Sequence, residues 1–312
     1  MDYVVAVDNL VKRYGDVLAL DHFDLRIRPG EIFGLLGPNG SGKTTAINCI
    51  LQLLTYDKGD IRLFGESMTP TNYEAKRKIG VVPQNVALFE ELTVRENIDF
   101  FCALYVDDKV LRRQLVDEAI DFAGLRDYAK FRPRKLSGGL LRRLNIACGI
   151  AHKPSLAFFD EPTVAVDPQS RASILEGIRL MNERGCTVVY TSHYMEEVEE
   201  ICSRIMIMDR GRSVAVGTNA ELKALVGAGE RIQIEVWGLT EGARSRLGSL
   251  PHVRRVDYAE PTLEVLCEQG AHNVADVLGV LAAENVACGR VYAEPPTLND
   301  VFLEITGTEL RD

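Results

Sequence analysis

The chain has 312 residues, longer than one typical domain of roughly 150, and we therefore expect two domains. Its residues are 46% apolar and 26% charged, which excludes a disordered or fibrous chain. A net charge of -9 argues against a surface that coats nucleic acid or binds anionic lipid. We therefore expect no nucleic-acid partner, and any membrane link should run through another protein.

Targeting signals and metal motifs are not evident in the sequence. Apolar runs such as 156–159 are interrupted by charge long before the ~18 residues that cross a bilayer. The first residues lack the basic and then apolar segments of a secretory signal, so we expect a cytoplasmic location. The seven cysteines are scattered and mostly in apolar surroundings, which predicts reduced core thiols rather than metal ligands.

The elements of the first half begin with β-rich runs and turn signals over residues 4–27, which predict a small antiparallel sheet. Residues 31–36 read as a buried strand that leads into a glycine-rich loop and a helix over about 43–54. Helical periodicity then predicts a helical subdomain over about 90–150. The order strand, glycine loop, helix is typical of phosphate-binding folds.

Strands return at 156–159, 186–190 and 205–208, each next to a helical segment, which favours a mostly parallel α/β core. We interpret 226–230 as a linker, so that the first domain spans 1–225 and an accessory or regulatory domain spans 230–312. The order of elements in the second domain is β-α-β-β-α-β, as in a ferredoxin-like unit. Its predicted strands are 231–237, 253–258, 262–267 and 288–293, and its predicted helices are 240–249, 272–286 and 297–305.

The glycine-rich loop is the first candidate site. Its glycines allow backbone N–H groups to turn toward an anion, and the following helix presents its positive end to the same phosphates. We expect Lys43 to reach the β- and γ-phosphates of a nucleotide and the Thr44 hydroxyl to ligate Mg²⁺. The nucleotide-binding residues expected here are Gly37, Pro38, Asn39, Gly40, Ser41, Gly42, Lys43, Thr44 and Thr45.

Two adjacent carboxylates form the second candidate site. Asp160 and Glu161 follow a buried apolar strand, and α/β sheets place ligands at the carboxyl ends of their strands. Asp160 suits a contact to Mg²⁺, and Glu161 suits the general base that activates a water molecule. A strand followed by acids is common, so this assignment depends on the glycine-rich loop.

A third motif, Leu136-Ser137-Gly138-Gly139-Leu140, precedes a helical run at 141–150. It predicts a helix cap whose free N–H groups and hydroxyl can hold an anion. Together and in this order, the three motifs resemble those of ABC transporter ATPases over roughly residues 1–225.

That resemblance implies roles for further residues. Tyr14 matches the aromatic that stacks on adenine, and Gln84 matches the glutamine that touches Mg²⁺ and water and senses the membrane partner. Asp167 matches the loop that crosses the dimer interface, and His193 matches the switch histidine near the γ-phosphate. Taken singly, Tyr14 could be a surface aromatic, Gln84 a loop amide and His193 a structural histidine.

The resemblance also implies a fold and partners. The expected fold is α/β, a P-loop NTPase core of ABC type with an N-terminal antiparallel β-subdomain and a helical subdomain, plus a small α+β ferredoxin-like domain. ATP and Mg²⁺ would be sandwiched between two nucleotide-binding domains, which form a homodimer or a heterodimer. The catalytic residues would be Lys43, Gln84, Glu161 and His193. The subunit would power an integral membrane permease from the inner face of the cell membrane.

Export is favoured because residues 294–307 resemble the tails of ABC exporter ATPases for drugs, lipids and polysaccharides. A soluble ABC ATPase in translation or DNA repair, a non-catalytic nucleotide-binding regulator and an importer remain alternatives. Leu140 and Ala165 depart from the commonest residues of the family, and we expect them to affect the rate rather than the activity. A GTPase is disfavoured because no Asn-Lys-x-Asp motif is present.

Overall fold

The computed structural model describes residues 2–225, 229–268, 272–295 and 297–306, and most of the predicted linker at 226–230 lies outside them. The chain divides into two compact units, one that ends at Gly217 and one that begins at Thr218. The predicted boundary at 225 therefore falls after, rather than before, the helix Asn219–Leu225. That helix packs against the last helix, Leu298–Thr306, and so belongs to the second unit.

The first unit contains β1 (Val5–Tyr14), β2 (Val17–Ile27), β3 (Ile32–Leu36), α1 (Lys43–Ile50), β4 (Lys58–Leu63), β5 (Glu66–Ser67), α2 (Tyr73–Lys76), β6 (Ile79–Val82), α3 (Val94–Ala103), α4 (Lys109–Phe122), α5 (Gly138–Ile150), β7 (Leu156–Asp160), α6 (Pro168–Glu183), β8 (Thr187–Ser192), α7 (Met195–Ile201), β9 (Arg204–Asp209) and β10 (Arg212–Gly217). The second contains α8 (Asn219–Leu225), β11 (Glu230–Val236), α9 (Glu241–Gly248), β12 (Val253–Ala259), β13 (Thr262–Cys267), α10 (Asn273–Ala283), β14 (Cys288–Glu294) and α11 (Leu298–Thr306).

The N-terminal residues form the expected antiparallel sheet, with the strand order β2-β1-β4-β5. Val5 and Val7 of β1 lie opposite Ile27 and Leu25 of β2, and all four side chains are buried. This alternation is what a half-buried strand requires. The sequence did not predict β4 and β5, which complete the sheet.

A six-stranded sheet in the order β10-β9-β3-β8-β7-β6 forms the centre of the first unit. All its neighbouring strands are parallel except β9 and β10. Every residue of β3, β7 and β8 is buried, as expected of strands covered on both faces. The helix after β3 ends at Ile50 rather than at 54, because Gln52 adopts a left-handed φ of 58°.

The predicted helical subdomain contains α3, α4 and α5, which share a buried apolar cluster. A capping box starts α3, because the Thr93 side chain accepts from the Glu96 amide while the Glu96 carboxylate accepts from the Thr93 amide. Ile98, Ile120 and Leu144 bring the three helices together in this cluster. Burial of such a stripe stabilises each amphipathic helix.

The second unit has the expected β-α-β-β-α-β order between β11 and β14. Its sheet is antiparallel throughout, with the strand order β12-β13-β11-β14. Ile232, Ile234, Leu263 and Val265 are buried together with Leu281 of α10, so the core lies between one face of the sheet and the helices. The expected fold class is confirmed.

In the described part of the chain, no helix is long and apolar enough to span a bilayer. All seven cysteines are free thiols and six are buried, but Cys288 is exposed on β14, which corrects the expectation of core thiols at that position. Burial raises the pKa of Cys49 and of Cys102 to about 11.

Candidate nucleotide-binding site

Four loops that carry predicted site residues lie at one edge of the central sheet. The glycine-rich loop follows β3, the Gln84 loop follows β6, Asp160 and Glu161 end β7, and His193 follows β8. The strands are parallel and in register, with Leu36 opposite Ser192 and Asp160 opposite Thr191. Their carboxyl ends therefore meet, as ligand sites of α/β sheets require.

The glycine-rich loop needs its glycines because backbone approaches it closely. A Cβ atom on Gly37 would lie 2.4 Å from the Met208 carbonyl oxygen. Gly42 has a φ of 106°, and a Cβ atom there would lie 2.8 Å from the Ala19 carbonyl oxygen. No side chain fits these positions without moving the backbone.

Lys43 is buried inside this loop, with 5% of its surface exposed. Its Nζ atom donates to the carbonyl oxygens of Gly37, at 2.7 Å, and Pro38, at 3.2 Å, and lies 3.6 Å from Glu161 Oε1. Burial lowers the pKa of Lys43, while the nearby carboxylates of Glu161 and Asp160 oppose that shift. The ammonium group is thus held at the centre of the loop.

Asp160 is fixed by two hydroxyl groups. Thr44 Oγ1 donates to Asp160 Oδ2 at 2.9 Å, and Thr191 Oγ1 donates to Asp160 Oδ1 at 2.7 Å. The first bond joins the start of α1 to the end of β7. A hydroxyl and a carboxylate therefore lie side by side next to the loop, and the oxygen atoms of both can bind a metal ion.

Glu161 is the most constrained acid of the site. Its φ of 47° is left-handed, a strained conformation that clusters at functional sites, and its amide donates to Thr191 Oγ1 at 2.9 Å. Its Oε2 atom accepts from Gln84 Nε2 at 3.0 Å and lies 3.5 Å from His193 Nδ1. Three residues predicted to be catalytic therefore meet at one carboxylate oxygen.

A cavity of about 220 Å³ opens beside this group. Its lining contains eight of the predicted site residues and one that was not predicted, Ala19 from β2. The predicted residues are Asn39, Gly40, Gly42, Lys43, Thr44, Thr45, Gln84 and Glu161.

The Ser137-Gly138-Gly139 motif caps α5 as expected, but it lies outside that cavity. Ser137 Oγ accepts from the Leu140 amide at 3.4 Å, and Ser137 and Gly138 are exposed. A Cβ atom on Gly139 would lie 2.5 Å from Ser170 Oγ and 3.1 Å from Asp167 Oδ2. Glycine is therefore needed where α5 meets the start of α6.

Asp167 and Tyr14 also lie outside the cavity. Asp167 caps α6 by accepting from the Ser170 amide at 2.9 Å, and this bond lowers the pKa of Asp167. Tyr14 ends β1 with 47% of its surface exposed, and Lys12 Nζ lies 5.0 Å from its ring centroid.

Comparison with known proteins identifies the family. The family model described as ABC transporter matches residues 20–164. The linearmycin resistance ATP-binding protein LnrL of Bacillus subtilis is 39% identical, over 99% of this chain and 100% of its own length. The chain belongs to the ABC transporter family. The resemblance found in the sequence is therefore confirmed, and the chain is an ATP-binding subunit of this family.

Two further relatives extend the comparison of this ABC subunit. The Nod factor export ATP-binding protein I of Burkholderia thailandensis is 37% identical over 96% of both chains. A dimeric structure of the ATP-binding cassette MJ0796, in a post-hydrolysis state with ADP and Pi, is 28% identical. It covers 69% of this chain and 98% of its own, with a TM-score of 0.63.

Two residues that sequence reasoning missed hold the Gln84 loop of this ABC subunit. Arg142 of α5 is buried and donates to the carbonyl oxygens of Gln84 at 2.7 Å, Pro83 at 3.2 Å and Glu161 at 3.4 Å. Asn145 donates to Pro83 O at 3.2 Å. Burial lowers the pKa of Arg142. The available signal was a pair of polar residues three positions apart on an apolar helix.

Proposed function

We propose that this ABC subunit binds and hydrolyses ATP at the cavity beside Lys43 and powers export through a separately encoded integral membrane permease. The single observation that carries the proposal is the arrangement at Glu161. Its carboxylate lies between Lys43, Gln84 and His193 at the edge of a cavity that the phosphate-binding loop lines. An acid held in this way can take a proton from water next to a bound phosphate.

The position of each side chain supports the catalytic role that we propose for it. Glu161 is the general base, Gln84 orients its carboxylate and the attacking water, and His193 faces the same carboxylate oxygen from the next strand. Lys43 supplies positive charge to the β- and γ-phosphates from within the loop. The loop backbone at 37–45 and the start of α1 bind the phosphates through their N–H groups.

The residues present fit a magnesium ion. Mg²⁺ prefers oxygen ligands and is commonly held by one or two protein groups together with substrate phosphates. The Thr44 hydroxyl and the Asp160 carboxylate are already 2.9 Å apart, and the Gln84 amide lies beside Glu161. We assign Thr44, Gln84 and Asp160 to the ion, which would neutralise charge on the transferred phosphate.

A second ATPase subunit completes the site in this proposal. Ser137 and Gly138 are exposed at the start of α5, Gly139 is buried beside them, and none of the three lines the cavity of their own chain. We propose that this cap binds the γ-phosphate held by the other copy, with Asp167 at the interface and Tyr14 stacked on adenine. The dimeric state of the MJ0796 cassette supports this arrangement, for a homodimer or a heterodimer.

Export is supported by the relatives, one named for linearmycin resistance and one for Nod factor export.

An exposed apolar patch next to the Gln84 loop supports docking of a permease. Val86, Phe89, Phe100 and Leu104 each expose 42 to 61% of their surface, and the Phe89 and Phe100 rings pack edge to face at 4.7 Å. Such a patch marks an interaction site. The subunit would then sit on the inner face of the cell membrane.

The two units have different roles in this proposal. The nucleotide-binding domain, predicted over 1–225, performs hydrolysis, and the ferredoxin-like domain, predicted over 230–312, stabilises the dimer or regulates it. The second unit is supported as a separate module by its own core around β11 and β13. A separate core is what an independently evolving accessory domain requires.

The test replaces Glu161 with Gln, which keeps the shape of the side chain but removes the base. We expect kcat to fall by about 10²- to 10⁴-fold, the usual contribution of a general base. ATP binding should persist, and an ATP-bound dimer should accumulate in size-exclusion chromatography. Glu66→Gln, at an exposed position on β5, is the matched control. Turnover at the wild-type rate by Glu161→Gln would refute the assignment.

The membrane role has a separate test. The chain should pellet with membranes only when a permease with several apolar spans is co-expressed. Replacing both Phe89 and Phe100 with Ser should release it to the supernatant without loss of ATPase activity. Pelleting that does not depend on the permease would contradict the proposed mode of attachment.

A further inference from the structure

A buried acid that the proposed mechanism does not use lies on α7. Glu197 exposes 2% of its surface. Its Oε2 atom accepts hydrogen bonds from three hydroxyl groups: Thr163 Oγ1 at 2.8 Å, Tyr190 OH at 2.7 Å and Ser192 Oγ at 3.0 Å. Tyr190 and Thr163 are themselves fully buried, so the group is removed from water.

The other carboxylate oxygen faces a cation. Glu197 Oε1 lies 3.1 Å from Arg171 Nε, and the Arg171 guanidinium lies 4.7 Å from the centroid of the Tyr194 ring. The Tyr194 ring in turn lies 4.1 Å from the His193 ring. Glu197 and Arg171 therefore hold the segment around His193 from two sides, through Ser192 and through Tyr194.

The partners of Glu197 lie in or next to two segments of the proposed catalytic site, with Tyr190 and Ser192 on β8 and Arg171 on α6. Thr163 lies in the 161–167 loop, which starts at Glu161 and ends at the cap of α6. Ser192 directly precedes His193. One carboxylate thus joins the loop that bears the proposed base to the segment that bears the proposed switch histidine.

Stability alone is a weak reason for such an arrangement. A buried carboxylate loses its hydration, and well-packed apolar residues often stabilise a core as well or better. A network in which one oxygen accepts three bonds does, however, fix the relative position of the segments that donate them. The 3.5 Å separation between His193 Nδ1 and Glu161 Oε2 depends on that relative position.

We propose that Glu197 is a positioning residue for ATP hydrolysis, which sets the distance between the 161–167 loop and the 192–194 segment. The proposal rests on the assignment of Glu161 and His193 in the proposed function. Glu197 touches neither nucleotide nor water in this scheme. It acts only through the hydroxyl groups of Thr163 and Ser192 and through Arg171.

The test is Glu197→Gln, which keeps the size of the side chain but turns an amide toward Arg171. Because misplaced catalytic groups slow chemistry more than binding, kcat should fall by about tenfold or more while KM for ATP stays within about twofold. Hydrogen exchange should speed up in both the 161–167 and the 192–194 amides. A purely structural role would not produce this pattern.

Glu31→Gln is the matched control. Glu31 also pairs with an arginine, since its carboxylate oxygens lie 2.9 and 3.1 Å from Arg204 Nη1, and only 12% of its side chain is exposed. It lies next to the first residue of β3, at the end of the strand opposite the phosphate-binding loop. We expect kcat and exchange at the two segments to stay near wild type in this variant.

The proposal is overturned if Glu197→Gln keeps kcat within twofold of wild type or loses no more than Glu31→Gln does. If Glu197→Gln does not fold, the test is Thr163→Val, which removes one of the hydroxyl donors to Glu197. A lowered kcat at unchanged KM in this variant supports the proposal, and an unchanged kcat overturns it. A failure of the proposed function would give a different result. In that case the wild-type chain would show no ATPase activity, or Glu161→Gln would not abolish it.

Discussion

Replacing Arg142 with Met would remove the guanidinium that joins α5 to both the Gln84 loop and Glu161. Its Nη1 atom donates to Gln84 O at 2.7 Å and Pro83 O at 3.2 Å, and its Nη2 atom donates to Glu161 O at 3.4 Å. Met has similar length and is apolar, so it fills the space without replacing a donor. The three carbonyl oxygens would then have to accept hydrogen bonds from water or would have no hydrogen-bond donor.

The change in the free energy of unfolding of Arg142→Met is the difference between two opposing contributions. Hydrogen bonds from a charged group contribute about 1.5–3 kcal/mol each, so the two shorter bonds amount to about 3–6 kcal/mol. Burial lowers the pKa of Arg142, and removing a charged group from water generally costs several kcal/mol, a cost that Met does not carry. We expect a net loss of about 1–3 kcal/mol in the free energy of unfolding.

We expect the loss of catalysis to be similar in size to the loss of stability. Gln84 and Glu161 would lose a shared anchor, and a displacement of about 1 Å can cost about 100-fold in rate. We expect kcat to fall by about 10- to 100-fold, which corresponds to about 1.4–2.7 kcal/mol, with KM for ATP little changed. Urea unfolding and steady-state ATPase assays measure the two quantities on the same preparation.

Arg143→Met is the control, since Arg143 is the next residue on α5 and makes one weak bond, 3.4 Å from Nη1 to Ala123 O, away from the site. It should retain near wild-type kcat. The reasoning fails if Arg142→Met keeps kcat within twofold of the Arg143 variant, because the anchor would then not matter for turnover.

Three further predictions concern nucleotide binding and pH. Lys43→Ala should weaken ATP binding by about 100-fold or more, since a buried ammonium facing the phosphates is lost, and unchanged affinity in a fluorescent-nucleotide titration would refute its role. Tyr14→Ala should raise KM for ATP by about 5- to 100-fold at constant kcat, as loss of one base stack predicts, and an unchanged KM would exclude adenine stacking. Burial lowers the pKa of His152 to about 4 from 6.5, so the unfolded chain takes up its proton first and stability is lost as pH falls from about 6.5 to about 4, by up to about 3 kcal/mol. Urea unfolding at pH 7 and pH 5 should show that the free energy of unfolding falls less in His152→Phe than in wild type. An equal fall in both proteins would contradict this.

The position of the proposed catalytic groups could be predicted because it depends on the backbone. Parallel strands end at the same edge, so residues that follow β3, β7 and β8 must meet there once the strands are recognised. Lys43, Asp160, Glu161 and His193 follow buried apolar runs that the sequence displays clearly. The roles of Gln84 and His193 were assigned only from the family resemblance. The strand before Gln84, β6, has four residues and was not predicted.

The supporting groups could not be predicted because their partners are distant in sequence and their pattern is ordinary. Arg142 bonds to residues 58 and 59 positions earlier, and Glu197 bonds to Thr163, which is 34 positions earlier. An acid in Met195–Ile201, a helix with four glutamates, looks like a solvated surface group, yet Glu197 is buried. Helical periodicity does not reveal which acid of such a run faces the core.

Helix α5 connects the two halves of the site within one chain. Ser137 caps its exposed N-terminus, and Arg142 follows just over one turn later, in contact with Gln84 and Glu161. A hydrogen-bonded helix is stiff over one turn, so a displacement of the cap must move Arg142 and the carbonyl groups that it holds. In the proposed dimer, Ser137 serves the ATP of the other copy while Glu161 serves its own. In that arrangement, a shift of the cap caused by the nucleotide of the other copy would move Arg142, which contacts the backbone of the proposed base.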